Sequence, residues 1–202
     1  MSKFIIKKIH KKYLIYISKF VKMIGGIKMI GYIQSFIIIA LIYCIIYQTY
    51  LKKKEKKFIL KFSIMYIYLF LVLCVTILPI DFTLDPKWKY HSSINFTYVH
   101  IKPFNDLISG YSGALKQVIL NIIMTIPFGF LLSSLKKNIS ITRVIISTFL
   151  LSFVIEMFQL IMTVFLLHYR SCDITDLITN VVGGIIGFIL YKLVKDKFKI
   201  LN

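Results

Sequence analysis

The stretch "DITDLITNVVGGIIGF", residues 173–188, places acids, an amide and glycines together inside one apolar run. Three of its polar residues recur at spacings of three and four, which puts them on one face of a helix: Asp173, Asp176 and Asn180. Gly183 and Gly187 form a second, small-residue face that lets another helix approach closely. Because an acid in an apolar setting is costly without a partner, the stretch predicts a helix packed against neighbours with polar groups.

The composition is that of a membrane protein. The 202 residues are 58% hydrophobic with a mean hydropathy of +0.79, whereas soluble domains are roughly 45–50% apolar. The net charge is +18, but the lysines cluster between apolar runs, as in cytoplasmic loops of membrane proteins. No basic patch outside these runs is interleaved with base-stacking aromatics, so nucleic-acid binding is not expected.

Five apolar runs are each near the ~20 residues that a helix needs to cross the hydrocarbon core. We expect these spans at 30–50, 60–80, 115–135, 142–167 and 174–194. Helices are expected because lipid offers no partner for unpaired backbone groups. The predicted fold is all-α, a polytopic transmembrane helical bundle of about five spans, four in a core and one N-terminal. Residues 1–55 form a basic segment with the additional span, and 56–202 form the main transmembrane domain.

The connections predict the orientation. The short basic segments 51–58 and 136–143 are placed in the cytoplasm, and so is the lysine-rich tail 192–199. The longer, aromatic stretch 81–114 and the short loop 168–173 then lie outside. We therefore expect a multi-pass protein of the cytoplasmic membrane with a cytoplasmic C-terminus.

The N-terminal segment, residues 1–28, does not fit this orientation. It carries eight lysines, yet five spans with a cytoplasmic C-terminus place it outside. Two explanations stay open. Met29 is the native start, or the segment is a basic amphipathic helix on the inner membrane surface and the 30–50 run does not span cleanly.

Seven polar residues share the outer half of the bundle in this topology: Asn121, Glu156, Gln159, Arg170, Asp173, Asp176 and Asn180. Glu156 and Gln159 are three apart and lie on one face of the fourth span. Arg170 is the nearest strong cation in sequence and could hold a carboxylate through two hydrogen bonds. Singly, the amides could serve as interhelical glue, but ionisable groups in lipid are usually functional. We predict a polar pocket with Glu156 as its deepest member, closed by Arg170.

Small residues and a proline are interpreted as helix-packing positions: Pro127, Gly129, Gly183, Gly184 and Gly187. Pro127 is expected to kink the third span. His91 and His100 have no third ligand nearby, so no metal site is predicted. A divalent cation among oxygen ligands stays open as an alternative. The three cysteines show neither metal-binding nor disulfide spacing.

Several segments in this order resemble the VanZ-like family of bacterial membrane proteins. They are "TILPI" (76–80), "IKPFNDL" (101–107), "NIIMTIPFGFLLSSL" (121–135), "SFVIEMFQL" (152–160) and "RSCDITDLITNVVGGIIGF" (170–188). The resemblance covers about residues 70–194, and the family's motif positions fall on the pocket and packing residues named above. It implies a multi-helix bundle in the cytoplasmic membrane and a link to low-level resistance to teicoplanin, a lipid-tailed glycopeptide. It transfers no catalytic residues.

Three functions are expected from these observations. The first is an envelope protein whose polar pocket binds a lipid head group or the polar part of a lipoglycopeptide, within the bilayer. The second is a membrane-embedded enzyme that modifies a lipid or a lipid-linked cell-wall precursor, with acids and an arginine for acid–base chemistry. The third is a small proton-coupled carrier with Glu156 as a relay, for which a homodimer could supply the missing half.

Overall fold

The structure, a computed structural model, describes residues 29–78, 80–81, 99–136, 138–166 and 172–200. Arg170, His91 and the segment 1–28 lie outside them.

Long helices make up almost all of the described chain. They are α1 (Tyr32–Thr49), α2 (Lys56–Thr76), α4 (Ala114–Leu135), α5 (Ile141–Leu166) and α6 (Ile174–Ile200). A 3-10 turn, Leu51–Lys53, joins the first two, and the short α3 (Asn105–Ile108) precedes α4. All five long helices are long and apolar enough to cross a membrane. The all-α fold and its five span-length helices are thereby confirmed.

The boundaries of two helices differ from the predicted ones. Helix α2 begins at Lys56 instead of residue 60, and α6 continues to Ile200 instead of ending at 194. Lysine is a good helix former, and neither segment contains glycine or proline to stop a helix. Apolarity marks where a helix enters lipid, whereas the hydrogen-bonded helix continues through the basic residues beyond it.

Helix α6 occupies the centre of the bundle. It packs against α4 and α5, while α2 packs on α4 and α1 contacts α2 at the edge. Within the apolar stretches, 33% of α6 residues are buried inside the protein, compared with 6% for α1. The central element is therefore the one whose sequence carries both the polar stripe and the glycines.

Glycines bring the backbones of α4 and α6 together. A Cβ on Gly129 would overlap the carbonyl oxygen of Gly184, and a Cβ on Gly187 would overlap that of Ile126. A Cβ on Gly183 would likewise overlap the carbonyl oxygen of Ile122. Each glycine thus occupies a position where the neighbouring backbone leaves no room for a side chain.

Helix α4 continues through Pro127. A proline removes one backbone donor and disturbs the carbonyl groups of the preceding turn. Tyr68 of α2 reaches this turn, and its hydroxyl donates to the carbonyl oxygen of Met124 at 2.7 Å. The contact between α2 and α4 therefore supplies a donor next to the proline.

Two short strand pairs lie at one end of the bundle. Strand β1 (Met29–Ile30) pairs antiparallel with β2 (Ile80–Asp81), and β3 (Val99–His100) pairs parallel with β4 (Cys172–Asp173). Because β1 precedes α1, β2 follows α2 and β4 precedes α6, we call this the strand end. The 30–50 run forms the continuous helix α1, whose N-terminus lies at this end.

Replacing a glycine at the α4–α6 contact should destabilise the bundle. Gly187→Ala adds a Cβ where the Ile126 carbonyl stands, and we expect a loss of about 1–3 kcal/mol because the helices must move apart. Thermal unfolding of the detergent-purified protein measures this, with Val182→Ala on an exposed face of α6 as the matched control. A midpoint for Gly187→Ala equal to that of the control would contradict the close contact.

Candidate functional site

Helix α6 begins with a buried aspartate that caps it. Asp173 lies in β4 directly before the helix, and its Oδ1 accepts a hydrogen bond from the backbone N–H of Thr175 at 2.7 Å. The first turn of a helix leaves backbone N–H groups without partners, and a short acidic side chain satisfies one of them. This explains how an acid only 6% exposed fits at the head of the central helix.

Glu156 of α5 is also held by the start of α6. Its side chain is 2% exposed, and its Oε2 accepts a hydrogen bond from the backbone N–H of Asp173 at 3.0 Å. The positive end of a helix dipole favours a nearby carboxylate. The described partners of Glu156 are therefore this backbone donor and the thiol of Cys172. Its predicted contact with Arg170 stays a prediction because Arg170 lies outside the described residues.

Asp176, in the first turn of α6, is held from α4. The side-chain nitrogen of Gln117 donates to both carboxylate oxygens of Asp176, at 3.2 and 3.1 Å. Gln117 was not among the residues predicted from the sequence. A signal for it was present, since Gln117 precedes Asn121 by four residues and lies on the same helical face.

Asn180 forms a deeper polar layer between three helices. Its Nδ2 donates to Oγ of Ser152 on α5 at 2.8 Å, and its backbone carbonyl accepts from Oγ1 of Thr125 on α4 at 2.8 Å. Ser152 was also missed, although it precedes Glu156 by four residues. The polar face of α5 thus extends to Ser152, beyond the Glu156 and Gln159 that the sequence analysis identified.

Gln159 points toward a different helix from Glu156. Its Nε2 donates to the carbonyl oxygen of Thr76 at the end of α2, at 3.2 Å. The hydrogen bond joins α5 to α2, so Gln159 and Glu156 have different partners despite their shared helical face.

A cavity of about 520 Å³ opens beside these residues. Its polar lining includes Gln117, Asn121, Gln159 and Asp176, and apolar side chains of α2 and α4 complete it: Val75, Leu120, Ile123 and Met124. Three of these apolar side chains are more than half exposed, and only Met124 is not. The cavity is therefore polar at one side and continuous with the apolar exterior at the other.

Two amide atoms at this cavity are buried and lack a hydrogen-bond partner among the described residues. They are Nδ2 of Asn121, which interacts with the Asp176 carboxylate without forming a full hydrogen bond, and Oε1 of Gln159. Buried polar atoms are nearly always hydrogen-bonded in folded proteins, and exceptions call for an explanation such as a bound molecule. One donor and one acceptor are thus available to something inside the cavity.

A second group of polar side chains lies at the strand end. The β3–β4 pairing sets His100 opposite Asp173, with Nδ1 3.8 Å from Oδ2 of Asp173 and 3.3 Å from Oδ2 of Asp106. The expectation that His100 has no further ligand nearby is wrong. Asp106 lies close to His100 in the sequence, on the short helix after β3, and was overlooked. Asp173 reaches His100 only through the β3–β4 pairing of distant segments, which the spacing along the sequence does not show.

The loop that carries Asp106 is attached to the start of α6. Phe104 adopts a left-handed backbone conformation with φ of 57°, and its N–H donates to Oγ1 of Thr175 at 2.9 Å. A non-glycine residue in this region is strained and persists only where its surroundings hold it. The strain marks this loop as positioned by tertiary contacts.

The environment of Cys172 can be tested through its reactivity. Burial, together with the charges of Glu156 and Asp173, raises the pKa of the Cys172 thiol to about 12. The thiolate is the reactive form, so a protein whose single cysteine is Cys172 should label very slowly with maleimide at pH 8.5. Glu156→Gln removes a negative charge, lowers the thiol pKa and should speed the labelling.

The control is Ser109→Cys in the cysteine-free protein, because residue 109 is exposed. Its thiol should label quickly, and Glu156→Gln should leave that rate unchanged. Equal rates at positions 172 and 109 would contradict the described surroundings of Cys172.

Comparisons with known proteins agree on one family. A family model described as VanZ/LLP1 matches residues 65–195. Protein VanZ of Enterococcus faecium is 31% identical over 136 residues, which cover 67% of this chain and 75% of that protein. No solved structure matches the chain. The family match begins inside α2 and includes every candidate site residue named above, and the chain belongs to the VanZ-like family.

Proposed function

We propose that this chain is an integral protein of the cell envelope that binds the polar part of a lipid-tailed molecule in the 520 Å³ cavity. By this binding it contributes to resistance to lipid-tailed glycopeptides such as teicoplanin. The observation that carries the proposal is the pair of unpartnered amide atoms, Nδ2 of Asn121 and Oε1 of Gln159, at a cavity with an apolar side.

The polar side of the cavity suits a neutral or zwitterionic head group. Asn121 offers a donor and Gln159 an acceptor, while Lys116 and Asp176 at the lining add one group of each sign. Ligand sites typically combine an apolar lining with a few well-placed polar groups that fix orientation. A sugar or peptide portion rich in hydroxyl and amide groups can use such a set.

The apolar side of the cavity suits a hydrocarbon tail. Val75 is 74% exposed, Leu120 is 52% exposed and Ile123 is 56% exposed, and all three line the cavity. If α2 and α4 lie in a bilayer, a tail that follows these side chains remains in lipid while the head group enters the protein. One molecule with both parts therefore matches the site better than a purely polar one.

Insertion in the cytoplasmic membrane with the strand end outward is part of the proposal. The surface of the five span-length helices is largely apolar, and such a surface is stable in lipid. The lysine-rich turn after α1 and the basic segment that begins with Lys136 lie at the opposite end from the site. The preference of lysine for cytoplasmic loops then places the C-terminus inside and the cavity toward the outer leaflet.

The contacts of the acids favour binding over the two other expected functions. Glu156 accepts a backbone hydrogen bond at the head of α6, and Asp176 is held by Gln117. Groups held in this way contribute to the position of α6. A relay or an acid–base catalyst would need a carboxylate that is free to act in the cavity, whereas Glu156 does not line it and both carboxylate oxygens of Asp176, which does, accept from Gln117.

Asn121→Leu separates a binding role from a structural one. Nδ2 of Asn121 forms no full hydrogen bond with the described residues, and its interaction with the Asp176 carboxylate is secondary to the two bonds from Gln117, so its removal should change the unfolding midpoint little. The same change should lower affinity for teicoplanin by about 10-fold or more, since a lost hydrogen bond at a buried site costs about 1–3 kcal/mol.

The measurement is anisotropy of fluorescent teicoplanin with the purified protein in lipid nanodiscs, with Ile119→Ala as the control on an exposed face of α4. Excess unlabelled envelope lipid in a second titration distinguishes a lipid ligand from the antibiotic. In a sensitive Gram-positive host at matched membrane levels, the wild type should raise the inhibitory concentration of teicoplanin and Asn121→Leu should not. Equal binding and equal protection by both proteins would refute the proposal.

Ser152→Ala should have the opposite profile. It removes the acceptor of Asn180 Nδ2 and leaves a buried donor unpaired, at a cost of about 1–3 kcal/mol. We expect a lower unfolding midpoint and, at temperatures where the variant stays folded, normal teicoplanin affinity. Loss of affinity without loss of stability would place Ser152 in the binding site instead.

A further inference from the structure

We propose that His100, Asp106 and Asp173 bind a divalent transition-metal ion of the Zn²⁺ type at the strand end. The three side chains come from β3, the loop helix α3 and β4. None of them lines the 520 Å³ cavity, so the inference stands independently of the proposed function.

The spacing of the ligand atoms fits one ion. One atom from each residue lies within 4.8 Å of the others. His100 Nδ1 is 3.3 Å from Asp106 Oδ2 and 3.8 Å from Asp173 Oδ2. Zinc binds nitrogen and carboxylate oxygen at about 2.0–2.2 Å, so two ligands in a tetrahedral arrangement are about 3.4 Å apart. The observed separations need only small adjustments to accept the ion.

The imidazole nitrogen is the second observation. Nδ1 of His100 is buried and has no hydrogen-bond partner among the described residues, although it faces two carboxylates. An imidazole nitrogen that faces two carboxylate oxygens without a hydrogen bond to either is an arrangement that a cation between them would complete. Imidazole with carboxylates selects Zn²⁺ or a similar ion over Mg²⁺, which prefers oxygen ligands and water.

The charge around the start of α6 also favours a cation. Four carboxylates belong to this region: Asp106, Glu156, Asp173 and Asp176. Within the described segments, no lysine or arginine forms an ion pair with any of them. A divalent ion at the edge of this cluster would offset part of their mutual repulsion.

The backbone holds the three ligands before any ion arrives. The β3–β4 register fixes His100 opposite Asp173. The strained Phe104, anchored on Thr175, fixes the loop from which Asp106 projects. Asp173 uses its other oxygen to cap α6, so the helix orients the carboxylate. Such supporting contacts to the ligand residues are typical of protein metal sites.

The site is open on one side. The side chains of His100 and Asp106 are 29% and 30% exposed, whereas that of Asp173 is 8% exposed. Three protein ligands leave a fourth position of a tetrahedral ion for water or an exchangeable group, as in metal sites that act on bound molecules. The structure thus assigns a position where an anionic group from outside could be held.

The test is metal binding by the full chain in nanodiscs, purified without a histidine tag and stripped with EDTA. Isothermal titration with Zn²⁺ should give one tight site, and Co²⁺ in its place should give visible absorption of a low-symmetry site. His100→Gln and Asp106→Asn should each weaken Zn²⁺ binding at least 10-fold and abolish the rise in unfolding midpoint that Zn²⁺ causes. Asp196→Asn, an exposed acid on α6, is the matched control and should bind as the wild type does.

Two results would overturn the assignment of the site, and a third would overturn the assignment of the ion. One is Zn²⁺ binding that is equal in the wild type and both ligand variants, which would assign the ion to other residues. The other is no Zn²⁺ binding by a wild type that is folded by circular dichroism, which would make the cluster a set of contacts between His100 and the two aspartates without an ion. Mg²⁺ binding as tight as Zn²⁺ binding would overturn the assignment of the ion class.

Discussion

Burial of the Glu156 carboxylate against the backbone of Asp173 is the constraint on which the rest of the site depends. An acid in the middle of an apolar helix needs a donor, and the first turn of α6 has donors without partners. One hydrogen bond therefore gives the Glu156 carboxylate a donor and the Asp173 N–H an acceptor. It also fixes the position of α5 along α6. Gln117 then holds Asp176 from α4, and Ser152 holds Asn180 one layer deeper. Each of these three contacts joins the start of α6 to α4 or α5.

The glycines make these contacts possible at a short distance. The short side chain of Thr125 reaches the backbone of α6 because Gly129, Gly183 and Gly187 let the two backbones approach closely. Lipid provides little hydrophobic force between helices, so close packing and hydrogen bonds must hold them together. The polar stripe and the glycine face of α6 thus both hold this helix against its neighbours, the polar residues near its start and the glycines further along it.

The helices could be predicted from the sequence because the thickness of a bilayer sets the length of an apolar run. The start of α2 and the end of α6 could not be predicted, because lysine residues continue each helix beyond the apolar run that marks it in the sequence. Helical spacing identified Glu156, Asp176 and Asn180, which the structure sets around the first turns of α6 and the facing side of α5. The same spacing reaches Gln117 and Ser152, but single amides and hydroxyls in apolar helices are too common to stand out. The approach of His100 to Asp173 depends on pairing of segments far apart in sequence, and no local pattern encodes it.

The parallel pairing of Val99–His100 with Cys172–Asp173 also bears on the order of assembly. The two strands are separated by α4 and α5, so they can meet only after both helices have formed and the chain has returned to the strand end. Contacts between such distant segments form late because closing a long loop is entropically costly. The helices can thus pack while this corner remains open, and we expect the pairing of β3 with β4 among the last steps of folding. A chain interrupted before β4 would retain four of the five span-length helices and lack both α6 and the partner of β3.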